Sequence, residues 1–222
     1  MLQTAAALHC WLSPAPAMPT KHLKPTEPLA LRDACIVAAQ EVIAERGVEN
    51  LSLRDVARKL GVSHQAPYKH YPSRDHLLAE VMRRCFERFA THLDARKHHD
   101  DPQQDLESLG AQYLSYAESH PLEYRLMFST PWPESADHAG WVRDSGHAFD
   151  ILRQVMRRMH GGLASKRDLA DLDALYIWSS MHGAVGVMHG NCIAQLNLKA
   201  SVRQQAMEHV MTMVGQGLAA RS

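Results

Sequence analysis

The sequence predicts an all-α protein: a small N-terminal three-helix unit of the helix-turn-helix (homeodomain-like) kind, followed by a larger helical body. Three observations predict it. Apolar residues recur at three- and four-residue intervals along nearly the whole chain. Alternating β-branched runs are absent, and glycine and proline punctuation falls at helical intervals. The 222 residues also suffice to bury a substantial core.

Residues 1–28 hold five prolines and read as a disordered tail. The opening MLQTAAALHCWLSPAPAMPT imitates a signal peptide, but it lacks a basic n-region and His9 interrupts its apolar stretch. Met18 offers a second candidate start. LRDACIVAAQEVIAERG then places Leu31, Cys35, Ala38, Val42 and Ile43 on one helical face, with Gly47 after the charged end. In SLRDVARKLG, Ser52 and Asp55 have capping-box spacing and Gly61 stops the helix. A third short helix is expected from Ser63, ending before Tyr71 because Pro72 disfavours helical geometry there. A fourth begins at Ser73 and runs through Leu77, Val81 and Phe86 to about Lys97. The polar, proline-bearing HHDDPQQD (98–105) breaks the pattern. Beyond it, helices are expected at 104–119, 121–129, 140–160, 167–190 and 199–219, with loops at STPWPES and HGGLASK. The expected division is therefore a tail (1–28), a helix-turn-helix unit (29–72) and a helical body (73–222).

Composition narrows the function classes. Lys+Arg and Asp+Glu both number 24, yet Lys21–Lys97 carries 14 basic against 10 acidic residues and Asp100–Ser222 the reverse. A basic early segment suits a polyanion partner. Cys10, Cys35, Cys85 and Cys192 lie far apart with no C-x-x-C, a pattern of reduced cytoplasmic thiols. No apolar run reaches the roughly 18–20 residues of a membrane span. H-E-x-x-H, G-x-S-x-G and P-loop motifs are absent, and GQGLAA at 215–220 has no strand before it. His98-His99-Asp100-Asp101 reads as a solvated linker, and no metal or cofactor is expected.

The chemistry lies in residues 52–70. A first helix over Leu53–Leu60, a turn at Gly61 and a plug at Val62 would set a second helix offering Ser63, His64, Gln65, Tyr68, Lys69 and His70 to bases or phosphates. Pro67 is the anomaly, because proline inside a helix costs about 3 kcal/mol. With Ser63 as N-cap, Pro67 falls at the end of the first turn and forfeits only the bond to the Ser63 carbonyl.

The A-E-R-G at 44–47, S-L-R-D-V-A at 52–57, L-G-V-S at 60–63 and Y-K-H-Y-P-S-R at 68–74 together resemble the N-terminal domain of the tetracycline-repressor (TetR) family of bacterial transcriptional regulators, over about 50 residues without a gap. The resemblance implies that Ser63, His64, Gln65 and Ala66 lie nearest the bases. Tyr68 and His70 would bind phosphate or buttress the helix, and Lys69 would take a phosphate. Ser52 and Arg54 would touch phosphate from the preceding helix, and Arg74 would contact the DNA backbone from the fourth. Arg74 stands where the family more often has lysine. Tyr68 also reads as a core-edge residue, and His64 and His70 as solvated surface groups.

In the body, ALYIWSSMHGAVGVMHG (174–190) carries W-S-S-M-H-G, which resembles the W-x-x-x-H-G element of one subgroup's C-terminal domain. Leu172, Leu175, Ser179, His182, Gly186 and His189, with Val202, Ala206, Val210, Met213 and Gly217, form seams suited to a homodimer through the last two helices. Family logic places an effector pocket inside the body. Its candidate lining is Tyr113, Tyr124, Met127, Phe128, Trp132, Trp141, Phe149, Trp178 and His182, residue types that equally fill ordinary cores.

The expected function is a sequence-specific, non-enzymatic DNA-binding regulator, repressing from a near-palindromic operator until a small apolar effector releases it. A histidine-rich metal-dependent enzyme and a dimerisation module without DNA reading are the alternatives.

Overall fold

The structure, a computed structural model, describes residues 28–134, 138–190 and 192–220. The expected tail lies outside the described residues, apart from Pro28, which opens the first helix. Among the described residues the regular structure is entirely helical. The helices are α1 (Pro28–Arg46), α2 (Leu53–Leu60), α3 (Arg74–Asp94), α4 (Pro102–Ser119), α5 (Pro121–Ser129), α6 (His138–Met159), α7 (Arg167–His189), α8 (Cys192–Gln195) and α9 (Ala200–Ala219). Short 3-10 turns occupy Val48–Asn50, Pro67–Lys69 and Ala164–Lys166.

Local chemistry sets these boundaries. Gly47 ends α1 with φ +85°, a conformation that L-residues with a Cβ rarely adopt. Ser73 caps α3 by accepting the His76 N–H, and Asp101 caps α4 by accepting the Gln103 N–H. Pro102 and Pro121 each open a helix, where the missing N–H costs nothing. The fourth expected helix reaches Asp94 rather than Lys97, and α8 was not expected from the sequence.

One buried core runs from Cys35 to Leu218, and α3 is its shared member. Leu77, Val81, Met82, Phe86, Phe89 and Leu93 of α3 are all nearly inaccessible, and the helix packs on α1 at one end and on α4, α5 and α6 along its length. Arg84 bridges back to Asp33 of α1 at 2.5 Å.

The HHDDPQQD break proves to be stitched rather than merely solvated. Asp105 is 1 % exposed and receives Arg158 Nη1 at 2.7 Å, the His99 N–H at 3.3 Å and the charge of Arg96 at 3.6 Å. Arg158 also donates to the His99 and Asp100 carbonyls at 2.7 and 2.8 Å, fastening the segment to α6. A buried carboxylate with such partners is costly to break, because its removal strands Arg96 in the core. Asp105→Ala is expected to lower the unfolding free energy by about 3–5 kcal/mol, read from the midpoint of urea denaturation.

Candidate nucleic-acid interface and effector region

The interface is built on α2. Ser52 is its N-cap, accepting the Asp55 N–H at 3.1 Å while its hydroxyl donates to the Asp55 carboxylate at 2.5 Å. The Ser52 hydroxyl, with Arg58 and Arg46 nearby, holds the Asp55 carboxyl below the usual carboxylate range. Lys59 reaches Glu45 at 2.5 Å and Glu41 at 3.2 Å, and Arg46 meets Asp55 at 3.3 Å, so charged pairs bind α2 to α1. At the far end Gly61 takes φ +65° and ψ +30°. Its N–H donates to the Arg58 carbonyl and that of Val62 to the Ala57 carbonyl, closing the helix as a Schellman motif.

The segment after this turn corrects one expectation. In place of a second regular helix, residues 64–66 form a turn and Pro67–Lys69 a 3-10 turn. The Ser63 carbonyl, which Pro67 cannot serve, accepts the Ala66 N–H at 2.9 Å instead. A 3-10 register thus absorbs the missing donor. The Pro67 carbonyl in turn accepts the N–H groups of His70 and Tyr71 at 3.0 and 2.9 Å. Pro67 is buried, whereas Ser63, His64, Gln65, Tyr68 and Lys69 are exposed, and Ala66 and His70 are half-buried. Tyr68 is 43 % exposed, an outward aromatic and not a core-edge residue.

What holds this short segment is Tyr71, a role the sequence reading missed. Tyr71 is 3 % exposed, and its hydroxyl donates to the Arg32 carbonyl of α1 at 3.1 Å. Burial pushes that hydroxyl up to about 12, so it stays a donor. Arg54 is exposed on α2, as is Arg58 one turn later on the same face. Ser52 is committed to its cap, and Arg74 donates to the Val48 carbonyl at 2.7 Å and to Asp75 at 2.8 Å. Arg74 therefore ties the start of α3 to the α1–α2 connection.

In the body, the structure brings most of the expected effector residues together. His182 lies 4.4 Å, centroid to centroid, from Phe128 and from Trp178, and it stacks on Tyr113 at 5.6 Å. Phe149 meets Trp178 at 5.5 Å, and Phe89 of α3 joins against Tyr113 and Phe128. The rings fill the space they were expected to line. Met127 is buried as ordinary core, Trp132 stands outside against Phe86, and the Trp141 side chain lies outside the described residues. Within the cluster the Tyr113 hydroxyl bonds both the Tyr124 hydroxyl, at 2.6 Å, and His182 Nδ1. His182 Nε2 is buried with no hydrogen-bond partner. Burial lowers the His182 pKa to about 4.

His182 therefore leaves the expected seam. The outward stripe of α7 runs through Leu172, Tyr176, Ser179, Gly183 and Val187, all exposed, and a Cβ on Gly183 or Gly186 would meet open space. Val202 and Met213 of α9 are likewise exposed, while Gly217 faces Tyr176 of its own chain. Among the described residues, no three His, Cys, Asp or Glu side chains gather as metal ligands, and no helix is long and apolar enough to cross a membrane.

Two expected outcomes follow from these contacts. His182 is neutral in the fold and protonates more readily when unfolded, so the unfolded state binds more protons between about pH 4 and 6.5. Stability is therefore expected to fall as pH drops through that window, by up to about 3 kcal/mol, and His182→Phe should flatten the dependence in thermal melts taken from pH 7 to 4. Tyr71→Phe removes one buried hydrogen bond and should cost about 1 kcal/mol, measured by chemical denaturation.

Comparison with known proteins agrees with this geometry. The model for bacterial regulatory proteins of the tetR family matches residues 36–81, and that for the tetracyclin repressor-like C-terminal domain matches residues 106–214. HTH-type transcriptional regulator Rv1816 of Mycobacterium tuberculosis is 25% identical over 126 residues, 55% of this chain. The chain spans about half the length of the curated relatives it matches first, 53%. HTH-type transcriptional repressor KstR2 of Mycolicibacterium smegmatis is 30% identical over 59 residues, 27% of this chain and 29% of that protein. Among solved structures, regulatory protein SCO4313 superposes with a TM-score of 0.69 at 21% identity, over 84% of this chain and 96% of that one. A TetR-like transcriptional regulator from Rhodococcus sp. RHA1 gives 0.62 at 18% identity, over 88% and 99%. With the helix-turn-helix matched by one model and the body by another, the chain belongs to the tetR family of DNA-binding bacterial transcriptional regulators.

Proposed function

We infer that the protein is a cytoplasmic, homodimeric repressor that reads a near-palindromic operator and leaves it when a small apolar effector binds the body. The observation that carries the reading is the sorting of residues 63–71. Pro67 and Tyr71 are buried as anchors, and Ser63, His64, Gln65, Tyr68 and Lys69 are left exposed with hydrogen-bonding capacity. Side chains in that position suit base edges and phosphates, and Arg54 and Arg58 add charge from α2. Ser52, Ala66, His70 and Arg74 support the segment's placement and contribute at its margin.

Dimerisation is supported by the uncovered apolar face of α7 and α9. Leu172 and Leu175 are exposed on α7, and a groove of about 580 Å³ is walled by Tyr176, Gly183, Val187, Leu198, Val210 and Met213. Exposed apolar patches rimmed by polar residues commonly mark protein–protein contacts. A second copy of the same face would set two reading segments about one DNA turn apart. The aromatic cluster around His182 serves as the effector-sensing core, its orphan Nε2 supplying one polar contact. The Trp178–His182–Gly183 spacing supports assignment to the W-x-x-x-H-G subgroup. The working division is 29–72 for DNA reading and 73–222 for sensing and pairing. Coupling of 1–3 kcal/mol would weaken operator binding about 5- to 150-fold.

The Tyr68→Ala, Lys69→Ala double variant is expected to bind the protein's own upstream DNA at least tenfold more weakly in gel shifts, with an unchanged melting transition. Equal binding would remove the reading segment from the interface. Leu175→Glu combined with Met213→Glu should convert a dimer to a monomer in sedimentation velocity and weaken operator binding with it.

A further inference from the structure

A second cleft, bordering the aromatic cluster at Tyr124, lies where the reading unit meets the body. It measures about 360 Å³ and is walled by Ala44 from the last turn of α1, Leu122, Tyr124 and Arg125 from α5, and Val185 and His189 from α7. That volume falls in the roughly 300–1,000 Å³ range of small-molecule sites. Its walls are mostly apolar, with Arg125 and His189 among the polar lining.

The charge pattern identifies the occupant. In the body, Arg88, Arg153, Arg157 and Arg158 each rest on a carboxylate, whereas Arg125, Arg167 and Arg203 form no such pair among the described residues, and of these three only Arg125 lines the cleft. Arg125 has no carboxylate among the described residues, although Glu123 is two positions away. Glu123 is held by Arg88 at 2.8 Å and by the Tyr116 hydroxyl at 2.6 Å. His189 is exposed at the C-terminal end of α7, on the same cleft. A guanidinium with no carboxylate partner among the described residues, beside an apolar cleft, suits a carboxylate with a hydrocarbon tail, the head taken by two parallel N–H···O bonds.

We propose that this cleft binds an amphipathic monocarboxylate, with Arg125 and His189 on the head group and Ala44, Leu122 and Val185 on the tail, and that its occupancy controls the reading unit directly. The lever is short. Glu45 and Arg46, the two residues after Ala44, hold Lys59 and Asp55 of α2 at 2.5 and 3.3 Å. A tail wedged under Ala44 displaces the turn of α1 that grips α2. On the inner side, the Tyr124 hydroxyl bonds Tyr113, so the same ligand also touches the aromatic cluster. The regulatory half of the proposal rests on operator binding as inferred above; the binding half does not.

The test is titration calorimetry of the full chain with decanoate, followed by gel shifts on its upstream DNA with and without decanoate. Decanoate is expected to bind at one site per chain, and decanol at least tenfold more weakly. Arg125→Gln should weaken decanoate at least tenfold, Arg125→Lys should retain most of the affinity, and Ala44→Phe should abolish binding by filling the cleft. Both positions are exposed, so the variants should melt as the parent does. Saturating decanoate should reduce operator affinity at least fivefold in the parent and not in Arg125→Gln. Absence of binding, or binding that survives both Arg125→Gln and Ala44→Phe, overturns the site. Arg125-dependent binding that leaves operator affinity unchanged overturns the control mechanism. A chain that never retards its upstream DNA, yet binds decanoate through Arg125, instead counts against the operator reading and leaves the site standing.

Discussion

The continuity of α3 is the constraint on which the rest of the molecule depends. From Arg74 to Asp94 it is one uninterrupted helix, buried on α1 at its start and on α4, α5 and α6 further along. Its first residue ties down the Val48 carbonyl, and its middle carries Phe86 and Phe89 into the aromatic cluster. A helix of this kind resists bending because each bend strains a ladder of backbone hydrogen bonds. Repacking around Phe89 therefore has to move Arg74, or else be absorbed by a loss of packing in a core close to crystalline density. The reading unit and the body are thus mechanically one object, though family models match them separately.

Much of the reading unit was legible in the sequence because its determinants are local. The Ser52–Asp55 cap, the left-handed Gly61 and the stop before Pro72 each depend on residues within one turn. Pro67 was legible in part. The sequence identifies which carbonyl loses its partner, but whether the chain keeps an α register or tightens to 3-10 depends on what the proline packs against. Its burial, and the anchoring of Tyr71 on a carbonyl 39 residues earlier, are tertiary facts that periodicity does not carry.

The body divides the same way. Apart from the short α8, helix positions followed from capping and apolar spacing, whereas the partners of individual side chains did not. Trp178 and His182 were expected on one face and are there, but the same spacing also allowed His182 a place in the outward seam. Only the packing of α4 and α5 against α7 turns it inward. Asp105 stands in the polar 98–105 stretch at the start of an expected helix, and no local signal marks it as buried. Its burial follows from Arg158, 53 residues away. The candidate effector residues were found as a group because aromatics are few in this chain, but sequence could not say whether they enclose a space or fill it.

The short 3-10 turn at Pro67–Lys69 has a consequence for how this family member can change over generations. A segment of three residues has no helical stability of its own. Its shape is borrowed from Tyr71, from the Arg32 carbonyl and from the buried face of Pro67. The exposed side chains at 63–65, 68 and 69 are consequently free to vary with little cost to folding, while the anchors are not. Lineages can exchange five outward residues on a fixed mount, and so change the chemistry of this surface without refolding it. The same dependence makes the surface non-portable: a peptide of residues 63–70, cut from Tyr71 and α1, would lose the conformation that sets those five side chains outward.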